Sequence, residues 1–176
     1  MKRTALVVAA LVLAAACGDT SPTTPDNNNT GPIVFTAQLS AANEVPLIID
    51  AEANALGAAT ITMNVMRDGA TGNVTGGGRI NFQVQLSGFP AGAQIRAAHI
   101  HAGAAGQSGD VFIDTGLTTA TAVTLDANGA GTLTFNNVAV RQDQATQIMA
   151  NAAGFYFDVH SALHPTGVAR GQLTVF

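Results

Sequence analysis

From Ile33 onward the chain alternates. "IVFTAQLS" sets Ile33, Phe35, Ala37 and Leu39 against Val34, Thr36, Gln38 and Ser40. "RINFQVQLS" repeats the arrangement, with Ile80, Phe82, Val84 and Leu86 against Asn81, Gln83, Gln85 and Ser87. A period of two marks a strand with one buried face. "ATITMNVM" continues it with Ile61, Met63 and Val65 on one side. "AAHIH", "DVFID", "AVTLD", "GTLTFN", "FYFDVH" and "ARGQLTVF" predict further short strands. The breaks "RDGATGN", "TGGG", "GFPAG" and "DANGAG" are turn chemistry, with Asp68-Gly69 and Asn128-Gly129 as tight-turn dipeptides. One stretch departs from this period. Val140, Gln144, Ile148 and Ala152 lie four apart and Gly154 stands ready to end a helix, so one short helix is predicted over 139–152. About eight strands and one helix give an all-β fold, an antiparallel sandwich or barrel of Greek-key-like design.

The pattern before Ile33 is different. "MKR" followed by "TALVVAALVLAAA" reads as an export signal whose apolar run is short for a membrane span. "LVLAAAC" resembles the lipobox of bacterial lipoproteins, although Ala14 stands where a larger apolar residue is usual. The resemblance implies a lipid on Cys17, the only cysteine, and membrane attachment through it. Gly18 after Cys17 is similar to the outer-membrane sorting pattern. The expectation is a signal and lipobox over 1–17, a flexible Pro/Thr/Asn tether over 18–32 and one domain over 33–176, carried on the bacterial outer membrane or cell surface.

Composition narrows the partners. Only 10% of residues are charged and 47% are hydrophobic. With one cysteine the domain has no disulfide, and a core of roughly 145 residues must hold it. Removing Lys2 and Arg3 leaves five basic against eleven acidic residues, a net charge of −6. No basic cluster remains, which argues against nucleic acid. A protein or a surface polymer is the expected partner.

The candidate chemistry lies in the histidines. In "AAHIH", Ile100 faces the core and His99 and His101 face the other way. In "FYFDVH", Phe155, Phe157 and Val159 face the core, and Tyr156, Asp158 and His160 point away. If these strands are neighbours, the three imidazoles converge, with Asp158 as a fourth ligand or an orienting partner. Three imidazoles suit zinc or copper. Histidine and aspartate can equally tie two strands by hydrogen bonds alone, and both readings stand. Arg170 shares a face with Gln172 and is placed to pair with Asp158. Leu173 and Val175 are expected in the core. Glu44, Asp50 and Glu52 in "NEVPLIIDAE" lack calcium-loop spacing and read as a solvated loop. His164, before Pro165, reads as a surface residue. Ser108 and Ser161 sit in no nucleophile elbow, and Gly76–Gly78 opens no helix.

"LSAANEVP", "LSGFPAG…AAHIHAGAAGQSGDV" and "FYFDVHSALHPTGVARGQL" together resemble the CHRD domain family, in the family's order. The resemblance implies an extracellular or periplasmic all-β domain with no established catalytic activity. The matching positions are Asn43, Glu44, Val45 and Pro46; His99, His101 and Gly103; Val159 and His160; and Arg170, Gly171 and Gln172. Glu44 and Arg170 are taken as structural. Asp158 replaces the family's usual Asn, and Val168 its usual Glu. "HIH" is also locally similar to the His-x-His of copper/zinc superoxide dismutases. The expected function is a lipid-anchored, non-enzymatic binding module with a His-rich metal site; the alternative is a metal-dependent redox or hydrolytic enzyme.

Overall fold

Each alternating segment forms a strand, and every strand pairing is antiparallel. The computed structural model describes residues 31–176; the expected export signal, Cys17 and the expected tether up to residue 30 lie outside the described residues. The strands are β1 (Ile33–Ser40), β2 (Leu56–Arg67), β3 (Val74–Ser87), β4 (Gln94–Ala102), β5 (Val111–Asp114), β6 (Val123–Thr124), β7 (Gly131–Val140), β8 (Phe155–Ser161), β9 (Ala169–Gln172) and β10 (Thr174–Val175). Among the described residues one α-helix, α1 (Gln142–Ala150), packs on β3. The sheet order is β5-β4-β8-β9-β1-β2-β3-β7, with β6 attached to β4 and β10 to β1. The path of eight strands nearly closes into a barrel.

The apolar half of the alternation becomes the core. Phe35, Ile61, Met63, Ile80, Phe82, Ile100 and Phe157 are all fully buried. Each such side chain contributes about 1.5–3 kcal/mol by leaving water. Phe82 of β3 stacks on Phe157 of β8 at 5.5 Å between centroids, so distant parts of the sheet face each other across one core.

Two local expectations change. The helix is shorter than 139–152 because β7 continues through Val140, which pairs with Gly78. Helix entry is set instead by Gln144, whose side-chain oxygen accepts the Arg141 backbone N–H at 3.0 Å. "ARGQLTVF" is two strands rather than one. It breaks at Leu173, whose N–H turns to the Phe155 carbonyl, so Leu173 is buried but Val175 is 59% exposed. Gly171 allows the C-terminal strands to reach β1: a Cβ there would lie 2.1 Å from the Gln38 carbonyl oxygen.

The feature that positions the site is β8, in which every residue is buried. Its second, polar face is covered by loops. The 103–110 loop bonds to His101, Tyr156 and Arg170, and Pro165 of the 162–168 loop bonds to His160. The 41–52 segment bonds to Arg170 and Ser161.

Candidate metal centre

The β4–β8 ladder sets His99 opposite Asp158, His101 opposite Tyr156 and Ala97 opposite His160. Because side chains alternate along a strand, the three imidazoles emerge on one face. His99 Nδ1 lies 3.1 Å from His160 Nε2. One ring nitrogen from each histidine falls within 4.8 Å of the others, and no further residue joins this group among the described residues.

The outer nitrogens fix the tautomers. His101 Nδ1 is 2.9 Å from the Gly109 carbonyl oxygen, and His160 Nδ1 is 3.1 Å from that of Pro165. A carbonyl only accepts, so both Nδ1 atoms carry the proton and donate. Each neutral ring then presents a bare lone pair at Nε2. The His101 Nε2 is buried and has no hydrogen-bond partner. The His160 Nε2 faces His99 Nδ1. Without an ion, His99 must donate from Nδ1, which turns its own Nε2 lone pair toward the Asp114 carboxylate, 3.5 Å away. With a cation between the rings, His99 can hold its proton on Nε2, toward Asp114, and offer Nδ1. The inward set is then Nδ1 of His99 and Nε2 of His101 and His160.

Burial, the largest cause in each case, lowers the pKa of all three. For His160 the value falls to about 4, with His99 as a second cause. Asp114 partly offsets the effect at His99. The rings are therefore neutral at pH 7, the state in which imidazole ligates a metal. With bonds of about 2.0–2.1 Å, tetrahedral ligand nitrogens stand about 3.3 Å apart, so the widest pair must close by about 1.5 Å.

Asp158 lies beside this triad. Its Oδ2 is 3.9 Å from His160 Nε2, and its carboxyl is hydrogen-bonded to Glu44. Burial, then the Glu44 charge, pushes the Asp158 pKa up to about 9; burial also raises that of Glu44. The two carboxyls therefore share a proton, held on Asp158, which leaves Asp158 a hydrogen-bond donor to Glu44. Gly167, at φ 129°, is packed against them: a Cβ there would stand 2.6 Å from Asp158 Oδ2 and 3.1 Å from Glu44 Oε2.

The expected bidentate pair between Arg170 and Asp158 is not formed. Although Arg170 lies opposite Asp158 in the ladder, its Nε donates to the Asn43 carbonyl at 2.7 Å and its Nη1 to that of Gln107 at 3.0 Å. Its carboxylate neighbour is Glu44, with Nε 3.9 Å from Oε2. The guanidinium lies 4.6 Å above the Tyr156 ring, and that ring lies parallel to His101 at 5.0 Å. Arg170, Tyr156 and His101 thus form one stack. The Gly109 peptide ties its end twice, donating its N–H to the Tyr156 hydroxyl at 3.2 Å and accepting from His101.

The "NEVPLIIDAE" run is not a solvated loop throughout. Glu44 and Glu52 are buried; Asp50 is exposed. Glu52 accepts the Ser161 hydroxyl at 2.5 Å, and Ser161 Oγ in turn accepts the backbone N–H groups of Leu163 and His164. His164 is not a free surface residue either, since its Nε2 lies 3.0 Å from Asp50 Oδ2. This Glu52–Ser161 tie went unseen in the sequence, where the residues stand 109 apart and no local motif links them.

A family model described as the CHRD domain matches residues 35–173. The chain belongs to the CHRD domain family. No curated protein matches it. The blocks that carry the resemblance meet in space in this CHRD domain: Asn43 and Glu44 contact Arg170, and His99 and His101 stand beside Asp158 and His160. Val168, where the family resemblance suggests Glu, is wholly buried in the core, so no carboxylate enters there.

Proposed function

We propose that this CHRD domain is an exported, lipid-anchored binding module that holds one copper or zinc ion on His99, His101 and His160. One observation carries the reading: two imidazoles are locked by backbone carbonyls with bare Nε2 atoms turned inward, and one of those atoms is buried without a partner. A buried acceptor left unsatisfied costs about 1–3 kcal/mol, which a bound cation would recover. Three nitrogen donors favour copper or zinc over calcium or magnesium. Tyr156 and Asp158, the groups nearest for proton transfer, are engaged by Gly109 and Glu44, which supports binding rather than turnover.

Thermal unfolding at pH 7.5, with and without zinc or copper(II), tests the ion. At a hundredfold excess over Kd it adds about 2.7 kcal/mol. No shift in the wild type, or an equal shift in a His99/His101/His160 triple-alanine variant, removes the metal. The anchor has its own test. Labelled palmitate is expected on the chain and is lost in Cys17→Ala; an unlabelled wild type with normal membrane retention of that variant removes the lipid.

A further inference from the structure

Beside Arg170, residues of β1, β9 and β10 line a groove of about 520 Å³ together with the 42–45 segment and the turn at Ala105 and Gly106. Its size is in the range of small-molecule sites, roughly 300–1,000 Å³. Arg170 and Glu44 both line it, and both are more than nine-tenths buried. Each keeps one polar atom without a partner: Nη2 of Arg170 and Oε1 of Glu44. One unused donor and one unused acceptor therefore lie in the residues that line the groove, both closed to solvent in the empty protein.

The rest of the lining is uncharged: Thr36, Gln38, Asn43, Gln172 and Thr174 alternate with small or apolar residues such as Ala42, Val45 and Ala105. Thr36, Gln38 and Thr174 make no side-chain hydrogen bond among the described residues. Gln172 spends its amide N–H groups on the carbonyls of Gly103, Ala153 and Phe155, so its Oε1 remains to accept. Arg170 and Glu44 offset each other in charge. A carboxylate ligand would satisfy Arg170 but meet Glu44 unfavourably, and an ammonium would do the reverse. A hydroxyl is both donor and acceptor, so it suits either atom without bringing a charge. Adjacent hydroxyls on one ring would reach the threonines and glutamines as well.

We propose that this groove is a binding site for a neutral, polyhydroxylated ligand: one or two sugar units of a glycan. The site does not depend on the metal centre, and its test leaves that centre intact.

The experiment is a titration of the full ¹⁵N-labelled chain with maltotriose, cellotriose and triacetylchitotriose, followed through backbone and side-chain amide shifts. Sugar is raised to about 10 mM, above the roughly 1 mM Kd of a weak site. At least one sugar is expected to move the signals of Gln38, Gly171 and Gln172 with a Kd below about 1 mM. Because Gln38 and Thr174 are exposed, a Gln38→Ala/Thr174→Ala variant keeps the fold, and it is expected to bind about tenfold more weakly. Three results overturn the proposal: no shift with any of the three sugars, equal affinity in the double variant, or shifts with glucuronate alone, which would make the site anion-selective.

Discussion

His99 Nδ1 stands 3.1 Å from His160 Nε2, and the second nitrogen carries no proton because Pro165 holds it on the far side of the ring. The ion-free protein is therefore expected to show the Nδ1–H tautomer at all three histidines. Zinc is expected to move His99 to the Nε2–H form, with Asp114 receiving the proton's hydrogen bond. Long-range ¹⁵N correlation spectra read this directly, and an Nε2–H signal at His101 or His160 in either state would contradict it. Asp114→Asn is expected to weaken zinc affinity about tenfold, as loss of a partner behind a ligand does.

Acid should destabilise the ion-free fold through the same histidines. The native His160 titrates at about 4, below its ordinary 6.5. Between those values the unfolded chain takes a proton that the native chain refuses, so this contribution is present above pH 6.5 and lost as pH falls to about 4. For His160 the loss amounts to about 3 kcal/mol, and His99 and His101 act in the same direction. Urea unfolding at several pH values is expected to show a shallower acid slope in His160→Gln.

Asp158 acts in the opposite sense. Its native pKa, about 9, lies above its ordinary 3.8. The native chain keeps a proton that the unfolded chain releases, so stability falls as pH rises across that window. Asp158→Asn supplies the donor to Glu44 without titrating. It is expected to stabilise the protein at pH 8 by about 1–3 kcal/mol and to flatten the alkaline slope. A less stable variant at pH 8 would show that Asp158 is ionised in the native state.

Gly171→Ala drives a methyl into the Gln38 carbonyl and is expected to cost about 3 kcal/mol or more. Gly69→Ala serves as the control. Nothing lies within 4 Å of the added atom and its φ is not positive, so the change should stay within about 0.5 kcal/mol. Chemical denaturation of the two variants compares them.

The period of two was enough to place the strands, since Phe35, Ile61, Phe82 and Phe157 are each buried on the side that alternation assigns. It also brought His99, His101 and His160 to one face. It could not show that this face is covered. A strand buried on both sides usually reads as continuously apolar, but β8 alternates because its outer layer is satisfied by Glu44, Gly109 and Pro165. Those partners lie on loops, where no periodicity exists to be read. The same blindness assigned Glu44 and Glu52 to solvent and sent Arg170 to Asp158 rather than to the Asn43 and Gln107 carbonyls. The helix was placed too early because Val140 is buried as a strand residue, in phase by chance with Gln144 and Ile148.

The contact between Asn43 and Arg170 spans 127 residues, and it has a bearing on how the molecule comes into being. Closing so long a loop is entropically slow, and pairings of this range form late. β1, β2 and β3 can zip into a meander through local pairings while His160, Pro165 and Arg170 are still unplaced. Neither the histidine cluster nor the groove is complete until the last strands dock beside the first. The three-histidine cluster and the groove beside Arg170 are thereby confined to molecules in which the last strands have docked.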